Sequence, residues 1–448
     1  MNDALPPVAP TQPTPRQSAP GQPAYAQPAP VQLAHVQLAS DPLARLYRTR
    51  PETVATLARI WDIVPDARLV GGAVRDLLCG RAVSDMDMAT ALPPQDVMAR
   101  LGAAGIRVVP TGLAHGTVTA VLEGRPYEIT TLRRDEQTDG RHAQVAWTDD
   151  WREDAARRDF TINAMSCDRA GVVHDPFGGR ADLAAGRVRF VGDAHARITE
   201  DALRILRFFR FNARYGGDAP DADAMAAATA LAPMVERLSV ERIWSELRRI
   251  LTGPRVAATL ALMEHGGVLA RILPEGYDLS RLGRLLACDG PADALLRCAA
   301  LFVGDMQAVA QRLRLSRADE RFVRAVHDGA LHDGGGGGGD GLHPGMTGAE
   351  IARMLVADPA DILIARTWLR QGEVLGRPDV GWDDLRAIIT RCPRPVFTLA
   401  GRDVVAAGCP PGPRVGAILA QVRDWWLSGG CVADRVACLA HLRHVLGA

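Results

Sequence analysis

Two aspartates with one residue between them, Asp85 and Asp87 in the run DMDMAT, are the residues of this chain with the clearest capacity for chemistry. In a strand, alternate side chains face alternate sides, so the two acids share one face while Met86 and Met88 turn to the other and can enter a core. Two carboxylates held that close repel unless a cation lies between them, and a hard divalent ion such as Mg²⁺ meets the need. Just upstream, VGG leads into AVRDLLCG. A glycine turn at Gly71 and Gly72, opening a helix, presents free backbone N–H groups and the positive end of the helix dipole to a phosphate, and Arg75 in the first turn can reach one of its oxygens. A third acid, Glu128 in RPYEITTLR, sits opposite the apolar Tyr127 and Ile129 and would complete a two-metal set. Taken singly, each signal also describes an exposed edge strand, an ordinary strand-to-helix turn or a solvated Glu. Together they describe a nucleoside triphosphate held above a metal pair.

The elements that must position these residues follow from the hydrophobic pattern. Between about 67 and 190, short strand-like runs (ARLVGG, DMDMAT, IRVVPT, GTVTAVLEG, RPYEITTLR, RVRFVG) alternate with helical ones, and the two runs around EGRP predict a hairpin. After about 195 nearly every periodic segment is helical. The expected fold class is therefore α+β, a small mixed-sheet head followed by all-α segments. Residues 1–40 are rich in Pro, Gln and Ala and read as a disordered tail or a misassigned start. The predicted divisions are a head at 41–190, a helical neck at 191–255, a helical body at 256–331, a glycine-rich linker at 332–345 and a helical tail at 346–448.

Bulk composition narrows the classes. The 52 basic residues, all Arg, balance 52 acidic ones, so a polyanion must be held by local patches rather than by the net field. The eight cysteines form no C-x-x-C pair and sit among apolar neighbours, which predicts reduced thiols and a cytoplasmic site. No apolar run has the length of a membrane span, and the N-terminus does not read as an export signal. VHDGALHD at 326–333 lacks the ordered ligands of a metal-dependent phosphohydrolase. The sequence sets no oligomeric state.

The series G-G-x-V-R-D-x-L-x-G-R-x-x-x-D-x-D-x-x-T from Gly71 to Thr90, followed in order by TGLAHGTVT, RRDFTINAM, DPFGG, EDALRILRFFRF and ERIWSELRRIL, resembles the class II tRNA nucleotidyltransferases and bacterial poly(A) polymerases, members of the polymerase-β-like superfamily. The resemblance covers roughly residues 50–255 and implies a nucleotidyltransferase head on a curved helical neck, body and tail, the tail binding tRNA. The implied activity is template-independent addition of CCA to the 3′ end of tRNA from CTP and ATP, with the 3′-hydroxyl attacking the α-phosphate at metals held by Asp85 and Asp87. Poly(A) addition and CC- or A-addition remain open beside it, as does an RNA-binding protein that has lost catalysis.

The later motifs supply the nucleotide contacts. RRDFTINAM offers Arg157 and Arg158 to a triphosphate and Asp159 to the ribose; the resemblance implies discrimination against deoxyribonucleotides, an acidic acceptor engaging the 2′-OH. Asn163 supports the loop or the nucleotide. In TEDALRILRFFRFNARY, Thr199 is expected to cap one helix carrying Asp201, Arg204, Arg207, Arg210 and Arg214. A carboxylate accepts from an exocyclic amine and a guanidinium donates to the adjacent ring acceptor, so Asp201 with Arg204 can admit C and A and reject U and G. The resemblance implies the same role and assigns Arg207 and Arg210 to phosphates or positioning. The polar stretch RRDEQTDGRHAQVAWTDDWREDAARRDF reads as a mobile loop of the kind the resemblance associates with the switch from C to A addition, with DEQTDGRHAQV intact.

Overall fold

The computed structural model describes residues 38–83, 85–138, 143–334 and 341–447. The expectation for residues 1–40 falls almost wholly outside this range. So do residues 335–340 of the predicted glycine linker, and the helix Arg317–Gly334 reaches the first glycine of the run.

Nine strands are present among the described residues: β1 (Arg68–Val70), β2 (Met88–Thr90), β3 (Arg107–Gly112), β4 (Thr117–Leu122), β5 (Arg125–Thr131), β6 (Arg133–Thr138), β7 (Ala143–Trp147), β8 (Ser166–Cys167) and β9 (Val173–His174). Seven of them form one mixed sheet in the order β3-β4-β5-β2-β1-β8-β9, in which only β2 and β5 run parallel. β4 and β5 are the expected hairpin, turning at Glu123 and Gly124. Both residues have positive φ, 52° and 75°, as a two-residue turn matched to the strand twist requires. The core side of the sheet carries Leu69, Met88, Val118, Ala120 and Ile129, each at most 1% exposed. The helices Pro51–Ile63 and Gly72–Leu78 contribute Leu57, Ile60, Val74 and Leu77 to the same core.

Three expectations are corrected. The strand in DMDMAT is confined to Met88–Thr90 and the aspartates precede it, though Val70 N still donates to the Asp87 carbonyl at 3.0 Å. RVRFVG forms no strand beyond one bridge between Phe190 and Phe160. The polar stretch expected as a mobile loop contains β6 and β7, an antiparallel ribbon separate from the main sheet; residues 139–142 between them lie outside the described range. The Asp-Gly of that segment is a hairpin signal that the loop reading passed over.

The neck is joined to the head by aromatic packing. Phe160 of the head stacks near Phe190 and Phe211 at 4.8 and 5.2 Å between centroids, and Phe190 near Phe208 at 6.1 Å. Phe208 and Phe209 lie on the helix Leu203–Tyr215 and are fully buried. Truncating such a ring to Ala costs about 3–5 kcal/mol, enough to unfasten neck from head. One apolar core continues from Leu43 through the neck and body to Leu369, whereas the C-terminal helices enclose separate cores around Trp382 and around Trp426.

Candidate active site

Asp85 and Asp87 are exposed, while Met86 and Met88 are 5% and 0% exposed, so the predicted alternation holds although the segment is not formally a strand there. The parallel register Met88↔Ile129, followed back by one residue, sets Asp87 beside Glu128. Tyr127 and Ile129 face the core and Glu128 the opposite, exposed side. Burial by surrounding protein, then the negative charges of Glu128 and Asp85, push the Asp87 carboxyl above its usual range, and Arg158 offsets part of the rise. Two crowded hard-oxygen donors with an excess of negative charge suit a divalent cation, which takes one or two carboxylates and completes its shell with water and substrate phosphate. Among the described residues no three His, Cys or acidic side chains converge on one ion position. The donor set that fits is the pair Asp85 and Asp87, with Glu128 acting on Asp87 at longer range.

Beside this pair opens a cleft of about 560 Å³ lined by Gly71, Gly72, Arg75, Arg158, Asp159, Asn163, Asp201, Leu203, Arg204, Arg207, Phe211 and Arg242. Gly71 adopts φ +63°, and a Cβ there would stand 2.7 Å from an Arg158 guanidinium nitrogen. The positive φ demands glycine at this position, and a Cβ would in addition push the Arg158 guanidinium aside. Gly72 begins the helix Gly72–Leu78 as expected.

The predicted arginines divide into two groups. Arg158, Arg204 and Arg207 line the cleft. Arg75 also borders it but is buried and committed: it bonds Asn163 Oδ1 and both oxygens of Asp76, and lies 4.2 Å over the Tyr215 ring. Arg157 is taken by the buried Asp154 at 2.8 Å, and Arg210 by the buried Glu246 at 2.6 Å; neither lines the cleft. Asp154, buried and unassigned from the sequence, also holds Arg158 at 3.2 Å. Burial alone would raise the Asp154 carboxyl, but Arg158 and Arg157 outweigh it and hold it below the usual range.

Asp159 is 9% exposed and accepts three hydrogen bonds, with one further ion-pair contact from Arg207. Phe160 N and Asn163 Nδ2 each donate to Oδ1 at 2.9 Å, and Arg207 gives Nε at 2.7 Å and Nη2 at 2.6 Å to Oδ2. Burial would raise its pKa; the Arg207 charge and these bonds bring it down instead. Three of the roughly four acceptor positions of the carboxylate are hydrogen-bonded and Arg207 Nη2 crowds Oδ2, so little of Asp159 is left for a ribose hydroxyl. The bonds join head to neck in one chain, from Tyr215 through Asp76, Arg75, Asn163 and Asp159 to Arg207.

The segment from Thr199 to Arg214 differs from expectation. Thr199 lies inside a separate helix, Ala194–Glu200, whose cap is Asp193, and its hydroxyl bonds the His195 carbonyl. Asp201 follows in extended conformation, φ −151° and ψ 105°, and its Oδ1 accepts from Leu203 N at 3.1 Å at the start of Leu203–Tyr215. The chain breaks helix here because a short acid competes for the first free N–H group of the next helix. Arg204 bonds Glu200 at 2.6 Å and Asp201 bonds Arg242 at 2.7 Å. Arg242 and Glu246 belong to ERIWSELRRIL, a motif read in sequence without roles for its charges.

Known proteins resemble this chain over most of its length. Residues 67–189 match the family model described as the poly A polymerase head domain, and residues 219–279 one described as a probable RNA- and SrmB-binding site of polymerase A. The chain is 34% identical over 376 residues to the zebrafish (Danio rerio) protein named CCA tRNA nucleotidyltransferase 1, mitochondrial, covering 81% of this chain and 83% of that one. It is 41% identical over 208 residues to the CCA-adding enzyme of Geobacillus stearothermophilus, covering 46% and 50%. The crystal structure of the Bacillus stearothermophilus CCA-adding enzyme with CTP superposes with a TM-score of 0.71 at 29% identity, over 88% of this chain and 98% of that one.

Proposed function

The chain belongs to the class II CCA-adding enzyme family, and from that premise we propose how its cleft performs the family reaction. It is a CCA tRNA nucleotidyltransferase that adds C, C and A to the 3′ end of tRNA from CTP and ATP, without a nucleic-acid template and with release of pyrophosphate. In our reading the triphosphate lies over the Gly71–Gly72 turn, where the helix N-terminus and Arg158 meet its negative charge. Asp201 and Arg204 face the base, Arg207 and Asp159 the sugar and phosphates, and Asn163 and Arg75 hold the floor. Arg157 and Arg210 order the walls through Asp154 and Glu246. The reaction is metal-dependent; Mg²⁺ held by Asp85 and Asp87 would supply charge stabilisation at the α-phosphate and the attacking oxygen. Glu128 keeps the metal-binding face negative.

The observation that carries this reading is the convergence of Gly71, Arg158, Asp159, Asp201, Arg204 and Arg207 on one cleft. The proposed divisions are a head at 41–190, neck at 191–255, body at 256–331 and tail at 346–448, the tail binding tRNA; the separate cores around Trp382 and Trp426 support this, while Ile362, Ala365 and Leu369 of the tail pack into the main core. Among the described residues no helix is long and apolar enough to cross a membrane. The eight free cysteines support a reducing, cytoplasmic site of action. The test is incubation with tRNA transcripts ending before CCA and with CTP, ATP or both, read at single-nucleotide resolution. Three additions that then stop are expected; a long ladder from ATP alone would mean poly(A) polymerase.

A further inference from the structure

Asp201 and Arg204 do not bond each other through their side chains. Arg204 gives Nη1 to Glu200 Oε2 at 2.6 Å and to the Arg197 carbonyl at 2.7 Å. Asp201 uses Oδ1 for Leu203 N and Oδ2 for Arg242 Nη2, at 3.1 and 2.7 Å. Arg242 lines the nucleotide cleft, 41 residues away in sequence, on the helix Val240–Leu251. Four residues further along that helix the buried Glu246 takes Arg210 at 2.6 Å. One helix thus makes two ties of opposite sign to the selecting segment, one before its helix and one two turns along it. Residues four apart share a helix face, so the two ties act together.

Resting on the base-selection reading above, we propose that Arg242 is a positioning residue for nucleotide choice. A carboxylate has about four acceptor positions. Leu203 N and Arg242 occupy one on each oxygen of Asp201 and fix the plane of the group, leaving the remaining positions as acceptors for the base. A cytosine or adenine amine donates to them; a keto oxygen of uracil or guanine meets a second acceptor and is rejected. Rejection by repulsion works only while the carboxylate cannot turn away. With Arg242 removed, Asp201 keeps its tie to Leu203 N and gains freedom at Oδ2, so the acceptor wall yields to a keto base.

The experiment measures kcat/KM for CTP and for UTP on tRNA ending before CCA, in the wild type and in Arg242→Met, Arg242→Lys and Asp201→Ala. Arg242→Met is expected to lower the CTP-to-UTP ratio by about tenfold, the scale of one charge-assisted bond at a partly exposed site, with much of the loss recovered in Arg242→Lys. A general structural role would lower both substrates together and leave the ratio unmoved. That parallel fall, or no change, while Asp201→Ala abolishes selectivity, overturns the role of Arg242 alone. An unchanged ratio in Asp201→Ala overturns the base-selection reading and this inference with it. Arg242→Gln, which retains a donor, replaces the Met variant should the latter not fold, with a reduced ratio again expected.

Discussion

Replacing Asp159 with Asn tests whether the head and neck are held at the nucleotide site by one buried charge. The exchange preserves shape and removes the charge that Arg207 meets with two nitrogens at 2.6 and 2.7 Å. Breaking a fully buried pair by neutralising one partner costs about 3–5 kcal/mol. The Arg207 side chain is 31% exposed and can turn to solvent, which brings the expectation to about 2–3 kcal/mol. The pH dependence separates this ion pair from packing. The Asp159 carboxyl is held below its ordinary 3.8, so its contribution is present above that value and disappears as pH falls through the lower folded value. The amide of the Asp159→Asn variant has nothing to titrate. Urea unfolding followed by Trp fluorescence should therefore show a gap between wild type and variant that is constant at neutral pH and closes below about pH 4. A gap that persists unchanged into acid, or no gap at pH 7, would refute the argument. The same variant probes the ribose: with Asp159 engaged mainly by protein partners, it should weaken CTP and 2′-deoxy-CTP together.

Asp87→Asn should abolish nucleotide addition yet raise the neutral-pH unfolding midpoint. An Asp whose pKa is raised in the folded state destabilises the fold once ionised, and the substitution removes that charge. Addition of Mg²⁺ should raise the midpoint of the wild type and leave that of Asp87→Asn where it is, because only the intact pair binds the ion; an equal shift in both would place the metal elsewhere. Gly71→Ala adds a Cβ at φ +63°, 2.7 Å from an Arg158 nitrogen. Its cost is about 1–2 kcal/mol of backbone strain with Arg158 displaced, read as a several-fold higher KM for both CTP and ATP; an unchanged KM would remove Arg158 from the triphosphate site.

What the sequence discloses depends on how far apart in the chain the partners lie. Alternation placed Asp85 and Asp87 on one face and Met86 and Met88 in the core, because strand geometry is local and survives even where regular pairing stops. The glycine turn was legible for the same reason. Asp201 was misplaced within a continuous helix because DALRILRFF has helical periodicity throughout; the break depends on one side chain capturing Leu203 N. Pairing of charges was legible only where partners lie one helical turn apart, as in Arg204 with Glu200 and Arg158 with Asp154. Spacing suggests Asp201 with Arg204, three residues on, and Asp159 with its neighbours Arg157 and Arg158. The folded chain instead joins Asp201 to Arg242 and Asp159 to Arg207, across 41 and 48 residues. Nothing in the periodicity of ERIWSELRRIL separates Arg242 from the exposed Arg248 and Arg249 of the same helix. Only the packing of Ile243, Leu247 and Ile250 turns Arg242 and Glu246 toward Asp201 and Arg210. Motif spacing therefore reveals which groups reach the nucleotide. The groups that hold them still are chosen by tertiary contact, and discrimination between bases rests on both.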